Sequence, residues 1–131
     1  MDDLIISGTL SGPCTVPLNQ ASAATFSNPL TNGATISWVN GASTSGSMVV
    51  IRPTSALVLD PSTSTSYTPN ANYTTAGQID VDNRVVYLGG GTTVNVTGLN
   101  PETQYTATVY SYNALDCYNT TAPVSVNFYT L

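Results

Sequence analysis

"GLNPETQYTATVYSYN", residues 98–113, opens as a turn and continues as a strand. Gly98, Asn100 and Pro101 are turn formers. From Tyr105 onward the pattern has a period of two, so Tyr105, Ala107 and Val109 share one face of an extended segment. Leu99, Pro101, Thr103 and Tyr105 stand at alternate positions ahead of and into that strand, an order that asks for a structural reason.

The same period recurs outside this stretch. "ATISWV" puts Ile36 and Trp38 on one face, "TTVNVTGL" does so with Val94 and Val96, and "MVVIR" and "PVSVNFYTL" supply two more strands. Between them lie the turn-rich stretches "SNPLTNG", "VNGASTSGS", "DPSTSTSYTPNANYTTAGQ" and "LGGGT". No long window keeps a 3.6-residue apolar period, because β-branched residues, Gly, Pro, Ser and Asn are spread throughout. Short strands with such spacers predict an all-β sandwich. Residues 60–83 make a connection longer than most within compact domains: a decorated loop, an extra hairpin around Tyr67 and Tyr73, or a partly mobile flap.

The chain has 131 residues, which suits one domain with a single core. Charged residues make up 7% of it, against roughly 25% in an average soluble protein. Solubility therefore rests on Ser, Thr and Asn. The formal net charge is -5, with Arg52 and Arg84 as the sole cations, which excludes the clustered Lys and Arg that neutralise phosphates. Neither nucleic acid nor an anionic membrane surface is an expected partner. No window approaches the roughly 18 to 20 apolar residues of a membrane helix. The opening "MDDLIISGTL" lacks the basic and apolar regions of a signal peptide and reads as the edge of a mature segment.

Chemistry finds little to work with. The chain contains no histidine and no lysine, so a His-based triad, an imidazole metal ligand and a lysine base are all missing. Two cysteines without a CxxC arrangement make no structural zinc site alone, and no cofactor is expected. Asp80 and Asp82 in "QIDVDNR" are the closest carboxylate pair, placed on one face if that segment is a strand. Solvated loop acids are the simpler account than a glycosidase pair or, with Asn83, a calcium site. "LGGGT" lacks the rest of a phosphate loop and reads as a glycine-rich β-turn. Asn72, Asn95 and Asn119 head Asn-X-Thr sequons, which chance explains in a chain so rich in Asn and Thr.

Taken together, "ATISWVNG", "MVVIR" and "VVYLGGGTTVNVTGLNPETQYTATVYSYN" resemble a fibronectin type III domain of the kind found in secreted or cell-surface multidomain bacterial proteins. The resemblance covers residues 17–131 and leaves 1–16 as an N-terminal extension. It implies about seven strands in two sheets, A-B-E against C-F-G with a C' strand. Trp38 then matches the core tryptophan of strand B, Leu99 plugs the core, Pro101 pre-sets a turn, and Tyr105 matches the tyrosine corner at the start of strand F. The start of strand A and the F-G loop lie at one pole of such a sandwich, so a Cys14–Cys117 disulfide is preferred over two free thiols and fits an oxidising compartment.

Function follows only as far as the resemblance carries it. It implies a non-catalytic module of a larger extracellular or cell-surface protein, a spacer or adhesion unit beside neighbouring domains. The alternative is a carbohydrate-binding accessory module of a secreted polysaccharide-degrading enzyme. With Tyr105 and Val109 inward, Tyr110 and Tyr112 point outward on the C-F-G sheet beside Arg52, an interaction surface for protein or polysaccharide unless residues 60–83 or cross-strand packing cover it.

Overall fold

A computed structural model describes residues 14–114 and 116–131. Residues 1–13 of the expected extension lie outside the described residues. The strands are β1 (Ser22–Ser27), β2 (Ala34–Val39), β3 (Gly46–Pro53), β4 (Gly77–Gln78), β5 (Arg84–Gly89), β6 (Thr93–Val96), β7 (Gln104–Asn113), β8 (Cys117–Tyr118) and β9 (Val124–Tyr129), with a short 3-10 turn at Tyr73–Thr75. Seven of the nine have four residues or more, and β4 and β8 have two each.

β1, β2 and β6 form one antiparallel sheet in the order β1-β2-β6. The other runs β4-β5-β3-β7-β8, with β9 also on β7. These are the two expected sheets, A-B-E and C'-C-F-G, with β4 and β8 added at the margins. The registers agree with the alternation: Ile36 faces Val94 across β2 and β6, and Ala107 faces Ile51 and Val126 from β7. Ala23, at φ 54°, bulges β1 and shifts its register against β2.

Ile36, Trp38, Val49, Ile51, Val94, Val96, Leu99, Tyr105, Ala107, Val109 and Phe128 are buried between the sheets. All the inward residues named by the period-two patterns are in this core. The aromatic rings are chained: Phe26 lies 6.0 Å from Phe128, Phe128 6.0 Å from Tyr105, and Tyr105 6.0 Å from Tyr73. Trp38 sits 5.2 Å from Tyr87 and donates its indole N–H to Asn40 Oδ1.

A second core lies on the other face of the larger sheet. Met48, Val50, Val85, Tyr110 and Tyr118 are buried there, with Tyr67, Ile79, Leu88 and Tyr112 packed around them. β3 is therefore buried on both faces from Gly46 to Ile51, and the uninterrupted "MVVI" is the pattern such a strand requires. The cover is the long connection between β3 and β5. Gly77 N donates to Thr68 O, Asn70 N to Val85 O and Tyr73 N to Thr97 O, which fasten it to both sheets. The domain is thus a two-sheet sandwich with a third, irregular layer. Among the described residues no helix is long and apolar enough to cross a membrane.

Candidate functional site

The turn before β7 is built around Tyr105. Its ring is buried, and its hydroxyl accepts from Asn100 N at 2.9 Å, five residues upstream. Leu99 is buried beneath it. Pro101 is exposed and precedes Glu102 at φ 50°, the left-handed second corner that a proline at the first corner favours. Thr103 Oγ1 closes the turn on Pro101 O at 2.8 Å, and Thr103 N donates to Thr130 Oγ1 at 3.0 Å. Gly98, at φ 76°, is required because a Cβ there would stand 2.1 Å from Asn72 Oδ1. These residues hold a crossing between sheets.

At the opposite end Cys14 is bonded to Cys117, their Cα atoms 5.4 Å apart across 103 positions of sequence. Cys117 begins β8 instead of lying in an open loop. Hydrogen bonds seat the same lead-in: Asn113 Nδ2 donates to Thr15 O, and Asn119 Nδ2 to Pro17 O. Gln20 accepts from Ser111 N at 2.6 Å and donates to Asn119 O and Thr121 O. Beside it is a concavity of about 370 Å³ lined by Val16, Pro17, Leu18, Gln20, Asn119, Thr121 and Ala122. None of these lining side chains carries a charge.

Of the two readings of Tyr110 and Tyr112, an open interaction surface and a face covered by residues 60–83, the structure has the covered one. Tyr110 does leave the inner core, but it is only 1% exposed, and Tyr112 is half-buried. The covering segment takes the place of solvent: Tyr110 Oη donates to Asp60 Oδ1 at 2.8 Å, and Tyr118 Oη to Thr65 O at 2.7 Å. The Tyr67 ring lies tilted 6.0 Å from that of Tyr118, and its hydroxyl accepts from Ser62 N. Burial, then the bond to Asp60, pushes the Tyr110 hydroxyl far above its ordinary pKa. Burial likewise raises those of Tyr112 and Tyr118. The physical reason is area: an outer face carrying Met48, Val50, Val85 and two tyrosines is too apolar to leave in water.

Arg52 lies close enough to Tyr110 for its charge to oppose that rise. It is a fastening and not a free contact, since Nη1 donates to Thr54 O at 2.9 Å and Ala56 O at 3.0 Å. Arg84 does the same, donating to Val81 O, Tyr73 O and Thr74 O while its guanidinium lies 5.1 Å over the Tyr73 ring. Tyr73 donates in turn to Asp82 O at 2.5 Å, and burial pushes its hydroxyl up to about 12.

Asp80 and Asp82 are in a bend and not on a strand, so they do not share a sheet face. Asp80 Oδ1 accepts from Asn83 N at 2.6 Å, Asp82 N at 3.0 Å and Asn83 Nδ2 at 3.1 Å. These bonds, the Asn83 backbone first, hold its carboxyl below the usual range. An oxygen ringed by three N–H donors is poorly placed for a cation, and no group of three or more acidic, Cys or His ligands occurs among the described residues. Asn83, itself buried, also donates to Leu57 O and accepts from Leu59 N.

No family model and no curated protein matches the sequence. Solved structures do match. The FN1–FN3 fragment of chicken CNTN1 superposes with a TM-score of 0.62 at 13% identity, over 96% of this chain and 33% of that one. The FN3 domain of human collagen XX superposes at 0.55 with 12% identity, covering 90% and 99%. The chain has a fibronectin type III fold. A redesigned β-sandwich protein, at 21% identity, also matches with a TM-score of 0.59 over 87% of this chain and 91% of that one. The match to about a third of the CNTN1 fragment is a match to one fibronectin type III unit among several.

Two further features of the chain are the Cys14–Cys117 bond and the layer over the outer sheet. The bond fell to sequence reasoning through the shared pole of strand A and the F-G loop. Cover by residues 60–83 is the other of the two sequence readings of Tyr110 and Tyr112, and "MVVI" carries its signal as well: four consecutive apolar residues leave neither strand face for water. Asp60, Asn83 and Tyr118, which fasten it, have no local signature.

Proposed function

We propose that this domain is a non-catalytic extracellular module of a larger protein, acting as a spacer and interaction unit between neighbouring domains of a secreted or cell-surface protein. The observation that carries the reading is the disulfide closing residues 14–117 on a fibronectin type III fold. Such a bond persists in oxidising surroundings. Three of the described polar groups serve turns and fastenings, which fits a structural role better than catalysis: Asp80 in its bend, Asp60 on Tyr110, Tyr105 on Asn100. A bacterial parent is part of the same proposal and rests on the sequence resemblance.

The carbohydrate-binding alternative needs a line of exposed aromatic rings. Tyr110 is covered, and among the described residues Phe26 and Tyr129 are the large exposed aromatics. They do not make a row: Phe26 leans on the core ring of Phe128, while Tyr129, its chain neighbour, alternates to the outer side of β9.

The test is a two-part measurement on the full-length parent protein in its own cells. Alkylation before and after reduction reads Cys14 and Cys117, and an impermeant amine- or carboxyl-directed label reads surface location. Blocked cysteines in a surface-labelled protein are expected. Two cysteines alkylated without reduction, in a protein the label does not reach, overturn the reading.

A further inference from the structure

The connection that covers the outer sheet presents an apolar surface of its own. Leu57 is 87% exposed, Val58 59%, Leu59 42% and Val81 66%. They are two clusters in sequence whose segments Asn83 brings side by side, donating to Leu57 O and Asp80 Oδ1 and accepting from Leu59 N. Four large exposed aliphatic side chains on adjoining segments are a feature to explain, where isolated ones are not.

Two observations say what the patch suits. Its frame is fixed: Arg52 holds Thr54 O and Ala56 O, Tyr110 holds Asp60, and Asp80 closes the 80–83 bend. A surface already ordered loses little freedom when a partner arrives. Its rim is acidic. Asp60 follows Leu59, and Asp80 and Asp82 flank Val81, yet both arginines are committed to backbone carbonyls, and among the described residues no ion pair meets these carboxylates.

We propose that Leu57, Val58, Leu59 and Val81, with Asp60 and Asp82 at the rim, form a docking site for a protein segment that sets aliphatic side chains beside Lys or Arg. Aliphatic groups of the partner cover the patch, and its cations meet the carboxylates. Charge complementarity selects this occupant. A second copy of the chain offers only Arg52 and Arg84, both already bonded, and an acidic rim repels anionic lipid. The inference rests on the interaction half of the proposed function and leaves the spacer half untouched.

The test uses the whole oxidised chain, 15N-labelled, and three synthetic peptides of equal length. One alternates Leu with Lys, the second replaces Lys by Glu, and the third replaces Leu by Ser. The first is expected to saturate, with amide shifts confined to residues 56–60 and 80–84. L57S/V58S should weaken it by about tenfold or more, and D82N by a few-fold that added salt erases. All three positions are at the surface, so an unchanged amide spectrum elsewhere verifies the variants' folds, and V81S provides an independent check. Equal binding of the Lys and Glu peptides, shifts elsewhere, or no saturation by any peptide would overturn the proposal. Dimerisation of the free chain through residues 57–59 would overturn it too, by making a second copy the occupant. None of these results bears on the alkylation and surface-labelling test.

Discussion

Replacing Cys14 by Ser opens a covalent loop that spans 103 positions, and the largest expected consequence is mechanical. Tension applied ahead of Cys14 and at Leu131 enters through Cys14, crosses the sulfur–sulfur bond to Cys117, and leaves along the last segment of chain. Strands β1 to β7 lie inside the closed loop and bear no extension. Only residues 118–131 can be drawn out, and a chain spans at most about 3.5 Å per residue, so the oxidised domain lengthens by no more than ~50 Å. Without the bond, residues 15–131 all contribute, up to ~410 Å. A disulfide does not change which strands pair, so the difference is in permitted length and not in fold. Single-molecule stretching of the domain between marker domains, with and without reductant, reads the two lengths directly. Steps near 400 Å in the unreduced wild type, or steps near 50 Å in the C14S variant, would refute the argument that load bypasses the sheets.

Further outcomes follow from the same contacts. At equilibrium, reduction should cost up to about 4 to 5 kcal/mol in urea unfolding, the loop-closure entropy for a ring of this size. Tyr105→Phe removes the acceptor of Asn100 N and should cost about 1 to 2 kcal/mol, while Gly98→Ala should cost more than ~1 kcal/mol from backbone strain alone, both read as a shift in the denaturation midpoint. Asn83→Ala removes three fastenings of the covering segment and should speed hydrogen exchange at residues 57–59 before it lowers global stability. Stability against pH should be flat from about 5 to 9, since there is no histidine to titrate. Tyr73, Tyr110, Tyr112 and Tyr118 all have raised hydroxyls, so their contribution is complete below the unfolded value of about 10 and is lost as pH climbs beyond it. Asp80 is shifted down, so its contribution is present above about 4 and is lost as pH falls. Thermal melts across pH 3 to 11 check both flanks; a melting temperature that keeps rising above pH 10 would contradict the tyrosine assignment.

The sequence by itself determined the two-sheet sandwich. Alternation in "ATISWV", "TVNV" and "YTATV" states which side chains face inward, because a strand's side chains point to opposite faces whatever it packs against. Leu99, Pro101 and Tyr105 were legible for a similar reason, since a turn and the ring that locks it lie within a few residues of each other. The tertiary structure alone decided the fate of the outer face. Alternation states that Tyr110 leaves the inner core, but whether it meets water or a second layer depends on partners far away in sequence, Asp60 for Tyr110 itself and Thr65 for its neighbour Tyr118 in the second core. Residues 54–83 carry no period that places them, and their course is set by the apolar area they cover. That is why the surface expected at Tyr110 and Tyr112 is instead a core, and why the apolar patch open to a partner is displaced onto Leu57, Val58, Leu59 and Val81.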